Sequence, residues 1–584
     1  MRTEIGNTLG RGAFLGALAV SWLIACAITW SGDTTSLAVK LGDTDDALRL
    51  VQVREFLAGA SWFDLHLDRL QPPQGYDSHW SRFIDLGLAG VYLAARPFVG
   101  GERAELVMRF LWPLIWLIPA IAAVASAAGR IGGRNAALIA FAFAATGLIA
   151  FQQFRPGRID HHNVQVALAL AGVATLIASV TSGRAAALAG ALTVAMLLVG
   201  LESIHFVVFM LAGASLLYVS GHHDATRAKA FWASLLVSAV IAFFVTVPPP
   251  KWLQAPCDAY AANFALALVF PAIIILAAVC TRPPATGLAR FMLIALAGIG
   301  SLSVFAAVDP VCLKGPFARM NPALGPLWLD HVSENRSAFG LLRDGNLFAF
   351  IGMVAHPTLA LLTGLWLVAR KRTAETIIAV AALALGMAMQ LFAFKTFTYP
   401  AWLAVAPAAA VAAILFETLK ARILALGALT ASMLSPVAMA IGSTILLTTI
   451  PGSAGKKFEQ PEACLATANY ARLASLPPGR VLAPIDFGPA ILALTPHQVL
   501  SAPYHRLQTG ITDAAEIYRG MDKSEPTARR LELAYLVDCD NDTSPETAGW
   551  LLESLRIGAP PPWLEPIPES QTEPLRLWRF RFER

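Results

Sequence analysis

The chain has 584 residues, of which 56% are hydrophobic and only 14% are charged, and its formal net charge is +5. Soluble proteins carry about 25% charged residues, so this composition excludes a soluble globular protein and predicts a polytopic membrane protein. The modest positive charge is typical of basic cytoplasmic loops rather than of a nucleic-acid-binding surface. We therefore expect membrane lipids, and no nucleic acid, among the partners.

Thirteen apolar runs are long enough to cross a bilayer as helices. They lie near residues 12–31, 105–128, 136–153, 163–181, 186–202, 205–220, 230–248, 262–280, 290–307, 346–369, 376–394, 399–417 and 422–449. With the N-terminus inside, every loop assigned to the cytoplasm contains Lys or Arg, as the positive-inside rule requires. The run at 83–98 is shorter and holds Asp85 and Arg96, so we interpret it as an interfacial helix. The predicted fold is α-helical, with about 13 transmembrane helices.

The predicted domains follow from this topology. Residues 1–450 form the transmembrane domain, which includes a first external loop at 31–104 and a long external loop at 308–345. From residue 451 the composition changes, because charges, prolines and short β-like runs alternate with helical stretches. Residues 451–584 therefore predict a small external α/β domain of ordinary domain length.

Four of the six cysteines lie on the face assigned to the outside. Cys257 and Cys312 occupy adjacent external loops, and Cys464 and Cys539 occupy the C-terminal domain. Two such pairs suit an oxidising compartment. Spacing alone does not determine the pairing, but the topology favours Cys257 with Cys312 and Cys464 with Cys539.

The first chemical motif is FRPGRIDHHNVQ at residues 154–165, which lies between two spans. Lipid offers no partner for these charges, so the motif must lie in water or in a protein-lined cavity. Asp160 and His162 supply one hard oxygen and one imidazole nitrogen, which are suitable ligands for a divalent cation. The alternative is an ordinary polar loop in which Asp160 caps the following helix.

Three further motifs fall on the external face. Asp43, Asp45 and Asp46 repel one another unless a cation lies among them, which indicates a metal or a cationic substrate; the alternative is a solvated acidic turn. Glu334 stands in the long loop, where it is either functional or an ordinary surface residue. Lys395 lies between two spans in FKTFTYP, where it either meets a phosphate or reaches the interface.

Together these motifs resemble the catalytic subunit of oligosaccharyltransferase and, more broadly, the GT-C class of membrane glycosyltransferases. The segment DDALRLVQVREFLAG (45–59) resembles the loop that carries the family's essential Asp, at Asp45. PGRIDHH resembles the second acidic motif, with Asp160 at its first position and His162 at its last. HVSEN resembles the Ser-x-x-Glu signature at Glu334, and KTFTY has Lys395 where the family has an Arg that contacts the lipid diphosphate.

One region departs from the family pattern. PIDFGPAILALTPHQVLSAPYHR (484–506) resembles the WWDYG region, with Asp486, Phe487 and Gly488 at the last three positions. Both tryptophans are absent, and with them the aromatic donor that recognises the sequon hydroxyl. We therefore expect an acceptor other than a standard Asn-x-Ser/Thr sequon.

The resemblance implies an integral-membrane glycosyltransferase that takes a sugar or oligosaccharide from a polyprenyl-phosphate or diphosphate-linked donor, with inversion at the sugar carbon. The expected location is the periplasmic face of a bacterial inner membrane, with a protein, lipid or polysaccharide acceptor. It implies catalytic roles for Asp45 and Glu334, an Mn²⁺ or Mg²⁺ ion on Asp45, Asp160 and His162, and donor phosphate contacts from Lys395 and Arg158. Further candidate site residues are Asp43, Asp46, His161, His79, Arg82, Tyr504, His505 and Arg506.

Other functions share some of these features. A transporter or flippase of lipid-linked saccharides also has many spans and intramembrane charges. The sequence lacks the repeated span pattern that such transporters often show, and its acids gather in loops, so the enzyme is favoured. A non-catalytic scaffold, or a metal-independent transferase with Asp45 as the base, are the remaining alternatives.

Overall fold

The computed structural model describes residues 9–30, 37, 39–147, 150–332, 335–420, 424–449, 464–539 and 544–582. The predicted helical membrane architecture is confirmed. Within the described ranges, ten helices are long and apolar enough to cross a membrane, and a bent pair would make an eleventh. The predicted runs at 136–153 and 186–202 form helices of only 12 and 17 residues, so the count of thirteen spans stays a prediction.

The helices and strands follow one another as a bundle and then a mixed domain. The helices are α1 (Arg11–Trp30), α2 (Thr44–Leu57), α3 (Arg82–Val99), α4 (Gly101–Gly132), α5 (Arg134–Ala145), α6 (His162–Ser179), α7 (Gly183–Val199), α8 (Ile204–Val219), α9 (Ala225–Thr246), α10 (Ala262–Thr281), α11 (Gly287–Val308), α12 (Leu324–Leu327), α13 (Ala338–Arg343), α14 (Leu347–Lys371), α15 (Ala374–Phe392), α16 (Thr398–Leu403), α17 (Val405–Leu419), α18 (Leu424–Ser432), α19 (Pro436–Thr448), α20 (Ala471–Ala474), α21 (Gly488–Leu494), α22 (Gln508–Arg519), α23 (Met521–Arg530) and α24 (Trp550–Arg556). The strands are β1 (His66–Leu67), β2 (Tyr76–Asp77), β3 (Arg480–Leu482), β4 (Gln498–Val499), β5 (Leu533–Cys539), β6 (Leu564–Pro566) and β7 (Leu575–Phe580).

The centre of the bundle is built from small side chains. Helix α17 is buried from Val405 to Ala413 and packs against α4 and α5. Gly132 at the end of α4 lies so close to Ala410 that an added Cβ would approach its backbone to 2.9 Å. Ala and Gly at such positions let helix backbones come together and gain dispersion contacts where lipid gives no hydrophobic driving force.

The two ends of the bundle differ in the length of their loops and in their charge. The loop end carries the first loop, the turn at 200–203 and the long segment 309–346. At the other end, Arg130 donates to Thr181 and Lys371 donates to the carbonyl of Ile131, so the basic ends of these helices lie together. This asymmetry agrees with the predicted orientation, which itself stays a prediction.

The doubtful run at 83–98 forms helix α3, which is amphipathic. Ile84 and Leu88 are buried, whereas Leu86, Leu93 and Phe98 are exposed. An exposed apolar stripe beside a membrane-spanning bundle is typical of a helix at the lipid boundary. The predicted helix is confirmed, and its location at the interface stays a prediction.

The C-terminal domain contains a five-stranded mixed sheet in the order β4-β3-β5-β7-β6. Strand β3 runs parallel to β4 and β5, and β7 runs antiparallel to β5 and β6. Helices α21 to α24 accompany this sheet, in agreement with the α/β composition of the region.

The first loop binds the edge of this sheet. The backbone N–H of Val499 in β4 donates to the carbonyl of Arg69 at 2.8 Å, and the N–H of Gln71 donates back to Val499 at 2.8 Å. The Arg69 guanidinium adds hydrogen bonds to three carbonyls of the domain, those of Leu492, Thr495 and His497. Because the loop satisfies an open sheet edge, it holds the C-terminal domain against the loop end of the bundle.

Both expected cysteine pairs are disulfides in the structure. Cys257–Cys312 joins the loop before α10 to the segment after α11, and Cys464–Cys539 ties the start of the described C-terminal domain to the end of β5. Two cross-links at the loop end stabilise the region that encloses the site described below.

We expect the double substitution Cys464→Ser with Cys539→Ser to lower the free energy of unfolding of the C-terminal domain by about 2–5 kcal/mol, because the bond closes a long loop in the unfolded chain. Thermal unfolding of the detergent-purified protein without reductant measures this loss. The matched control is Cys26→Ala with Cys280→Ala, which leaves both disulfides intact. Equal melting temperatures for the two double variants would contradict the prediction.

Candidate active site

A cavity of about 1510 Å³ lies between the loop end of the bundle and the C-terminal domain. Small-molecule sites usually have volumes of about 300–1,000 Å³, so this cavity is large enough for two substrates side by side. Its charged wall residues come from every loop at this end and include Asp45, His79, His161, Glu202, Lys251, Asp258, Arg336, Lys395, Asp486, His505 and Arg506.

A buried ion cluster beside the cavity joins the first loop to the DHH motif. The Arg158 guanidinium forms hydrogen-bonded ion pairs with Asp43 and Asp160 and lies 3.1 Å from Asp46 Oδ2. Asp46 and Asp160 are fully buried. The cation beside Asp43, Asp46 and Asp160 is therefore an arginine of the chain. Arg158 has carboxylate partners in this structure, and its expected contact with the donor phosphate stays a prediction.

Asp43 and Asp46 also shape the backbone of both motifs. Asp43 caps α2, since its side chain accepts the N–H groups of Asp45 and Asp46. Asp46 Oδ1 accepts the N–H groups of Ile159 at 2.7 Å and Asp160 at 2.9 Å. Burial alone would raise the pKa of Asp43, but the Arg158 charge and the Asp46 backbone N–H lower this pKa to about 2. Both carboxylates therefore hold the loops in place.

The structure brings together Asp45, His161 and His162. One possible ligand atom from each lies within 4.8 Å of the other two. Asp160, expected in this set, pairs with Arg158 instead, and its Oδ1 accepts the N–H of His162 at 2.9 Å. Asp160 thus accepts the first N–H of α6, although the N-cap residue of this helix is His161 and not Asp160 as the alternative interpretation had it.

One carboxylate and two imidazoles make a donor set that fits a divalent transition metal. His161 is 1% exposed, and in the part of the chain that the structure describes its Nδ1 has no hydrogen-bond partner. A buried polar atom without a partner is costly, and a metal ion would satisfy it. The residues present therefore fit a metal.

A second polar cluster joins the C-terminal domain to the disulfide-linked loop. Asp258, next to Cys257, accepts two hydrogen bonds from Arg506 at 2.6 and 2.7 Å and contacts His505 Nε2 at 2.6 Å. Although burial would raise the pKa of Asp258, the contacts from His505 and Arg506 hold it well below its usual value. His505 and Arg506 thus lie on the cavity wall and also position the domain above it.

Solved structures of the archaeal oligosaccharyltransferase from Archaeoglobus fulgidus share this architecture. Its apo form has a TM-score of 0.69 and 14% identity over 91% of this chain and 70% of that one. The corresponding values are 0.67, 14%, 90% and 69% for its complex with an inhibitory peptide and a dolichol-phosphate, and 0.61, 16%, 89% and 67% for its complex with Zn and sulfate. This chain has the oligosaccharyltransferase-like GT-C fold. No protein-family model and no curated protein matches its sequence.

Within this GT-C fold, the remaining predicted residues have different environments. Lys395 is half-buried on the cavity wall. His79 also lines the cavity, and its ring lies 5.1 Å from that of His505. Arg82 is buried inside the first loop, where it pairs with Asp85 at 2.9 Å. Glu334 lies outside the described residues.

Several wall residues of the cavity were not predicted from the sequence. Glu202 contacts His161 and Gln165, Asp258 holds the APYHR segment, and Lys251, His205 and Arg336 add basic groups. Each of these residues lies in a sequence segment without a recognisable motif around it. The one signal for Glu202 was its acidic side chain beside an apolar run at the expected loop end, as in LVGLESIHF.

We expect Arg158→Met to destabilise the protein by about 3–5 kcal/mol, because it leaves buried carboxylates without their counter-charge. Thermal unfolding in detergent checks this loss, with exposed Arg155→Met as the matched control. Added Ca²⁺ or Mg²⁺ should raise the melting temperature of Arg158→Met, because three carboxylates suit a hard cation. Equal stability of the two variants would show that the cluster does not depend on Arg158.

Proposed function

We propose that the protein is an integral-membrane glycosyltransferase that uses a polyprenyl-phosphate or diphosphate-linked sugar donor. The observation that carries the proposal is a single cavity bounded both by membrane helices and by the C-terminal domain, with a carboxylate and several basic side chains on its wall. A lipid-linked donor would enter from the helices, and an acceptor would enter from the domain. The structural relative that binds a dolichol-phosphate supports this class of donor.

The donor phosphate would lie against the basic part of the wall. Lys395, Lys251 and Arg336 line the cavity, and Lys395 comes from the short segment between α15 and α16. A lysine ammonium binds phosphate as a point charge, without the bidentate geometry of arginine. Neutralising the leaving phosphate is the largest electrostatic requirement of glycosyl transfer.

The acceptor would lie beside Asp45. This carboxylate stands in the first turn of α2, close to Tyr504 of the C-terminal domain, whose hydroxyl donates to the carbonyl of Thr44 at 3.1 Å. In the reaction the acceptor heteroatom bonds to the sugar carbon as the bond from that carbon to the phosphate oxygen breaks. Asp45 takes or orients the acceptor proton, and the phosphate leaves with the bonding electron pair.

A divalent cation on the Asp45, His161 and His162 set would supply additional positive charge to the leaving phosphate. A structural relative was solved in complex with Zn and sulfate, which supports a metal ion in this fold. Mn²⁺ and Mg²⁺ remain the ions expected from the sequence. The chain's own contribution is to hold one carboxylate and two imidazoles within 4.8 Å of one another.

The segment that begins at Asp486 bears on the class of acceptor. Asp486 is exposed on the cavity wall, whereas Phe487 behind it is buried. Gly488 allows α21 to approach the carbonyl of Ser501, where an added Cβ would lie only 2.3 Å away. Because both tryptophans of the family's WWDYG motif are absent from this segment, we propose an acceptor other than the standard sequon, at the periplasmic face of a bacterial inner membrane.

The test is consumption of fluorescent polyprenyl-phosphate and polyprenyl-diphosphate sugars by the purified protein in Mn²⁺ or Mg²⁺. We expect turnover that Asp45→Asn lowers by at least about 100-fold, the lower range for loss of a general acid–base group. EDTA should lower it as well if the cation assists the leaving phosphate. Asp68→Asn is the matched control, because Asp68 is an exposed acid of the same loop.

Three outcomes distinguish the alternatives. Turnover that survives EDTA but is lost in Asp45→Asn would support a transferase that does not require the metal. Equal turnover by Asp45→Asn and Asp68→Asn would exclude the assigned base. Stable, folded protein that consumes none of the donors but moves them across proteoliposomes would replace the transferase with a flippase.

A further inference from the structure

Glu202, which no sequence motif indicated, contacts His161 of the proposed metal site and the neighbouring amide of Gln165. Glu202 belongs to the short turn between α7 and α8, 41 residues after His161. Its carboxylate lies 3.3 Å from His161 Nε2 and accepts a hydrogen bond from Gln165 Nε2 at 2.7 Å. Glu202 also lines the cavity.

The Gln165 amide extends this contact to the second imidazole. Because a carboxylate only accepts hydrogen bonds, the Gln165 atom beside Glu202 must be its NH₂ group. Its carbonyl oxygen then lies 3.4 Å from His162 Nδ1, where it accepts a hydrogen bond from that N–H. Glu202 therefore orients His161 directly and His162 through Gln165.

These contacts select the nitrogen that each ring offers to a metal. A proton on His161 Nε2 is directed at Glu202, which leaves Nδ1 as the lone-pair nitrogen. That Nδ1 is the buried atom for which the described residues supply no hydrogen-bond partner. Metal-ligating histidines typically donate their other N–H to a carboxylate or amide oxygen, which fixes the tautomer and increases ligand basicity.

We propose that Glu202 is a positioning residue that makes His161 a metal ligand beside Asp45 and His162. This inference rests on the proposed function only because both concern the same cavity. It adds His161 to the set expected from the sequence and assigns Asp160 to the Arg158 cluster. The resulting site contains one carboxylate and two imidazoles.

This set of metal ligands, one carboxylate and two imidazoles, binds some cations better than others. Imidazole suits Zn²⁺, Fe²⁺ and Ni²⁺ better than Mg²⁺, which prefers oxygen ligands, and Mn²⁺ is the weakest binder of the divalent transition-metal series. The nearby all-oxygen set of Asp43, Asp46 and Asp160 already surrounds the Arg158 guanidinium. We therefore expect a transition-metal ion on the imidazole side and a guanidinium on the carboxylate side.

The turn that carries Glu202 depends on a glycine. A Cβ added to Gly200 would lie 2.4 Å from Gln165 Nε2 and 2.8 Å from Glu202 Oε2. The absence of a side chain at position 200 thus gives room for the hydrogen bond between Gln165 and Glu202. Gly200→Ala disturbs the same contact without removing any polar group.

The experiment measures metal binding directly, with Mn²⁺ as the probe and no sugar donor present. Isothermal titration gives the affinity, and electron spin-echo modulation of the bound Mn²⁺ counts the coordinated imidazole nitrogens. We expect two imidazoles in the unmodified protein and one in His161→Gln. Glu202→Leu and Gly200→Ala should each weaken binding by about 10- to 100-fold, and Glu202→Gln should weaken it less, because its amide oxygen still accepts from His161.

Glu102→Gln is the matched control, because Glu102 is an exposed glutamate outside the cavity. Affinity and spectrum that are unchanged in Glu202→Leu, or one coordinated imidazole in the unmodified protein, would overturn the inference. Two imidazoles in a protein that consumes no lipid-linked donor would leave the inference standing and remove the proposed function. Donor turnover without detectable Mn²⁺ binding would overturn the inference and leave the proposed function standing.

Discussion

The placement of Arg158 among three carboxylates is the interaction on which the site depends. Asp43 and Asp46 belong to the first loop and Asp160 to the DHH motif, so the guanidinium joins two segments more than 100 residues apart. Two of these acids are fully buried, and their repulsion would separate the segments without a cation. Beside this cluster, Asp45, His161 and His162 bring one possible ligand atom each to within 4.8 Å of the others.

The same cluster separates two chemical environments. On one side, three carboxylates are neutralised by a guanidinium that belongs to the chain. On the other side, Asp45 and two imidazoles lie beside the cavity that Lys395 and the C-terminal domain enclose. The domain is held there by the sheet-edge contact of Arg69 with Val499 and by the ion pair between Asp258 and Arg506. The cavity is thus bounded on one side by the bundle and on the other by the domain.

Much of this arrangement could be predicted from the sequence because it depends on local pattern. Span-length apolar runs, the acids of the first loop and the DHH motif are each visible within one segment, and the positive-inside rule assigns them to one face. The need for a cation beside the first-loop acids Asp43 and Asp46 was also predictable. Its identity was not, because Arg158 is as suitable for a phosphate as for a carboxylate until the fold supplies its partners. Glu202 and Asp258 act only through residues 41 and 247 positions away.

The central claim is that the carboxylate cluster holds Arg158 while a metal ion binds beside it on the imidazoles. The most direct measurement is anomalous X-ray scattering from crystals of the protein grown with Mn²⁺. The account predicts one anomalous peak within bonding distance of Asp45, His161 and His162, with Arg158 still paired to Asp43 and Asp160. A peak among Asp43, Asp46 and Asp160, with Arg158 displaced, would contradict it.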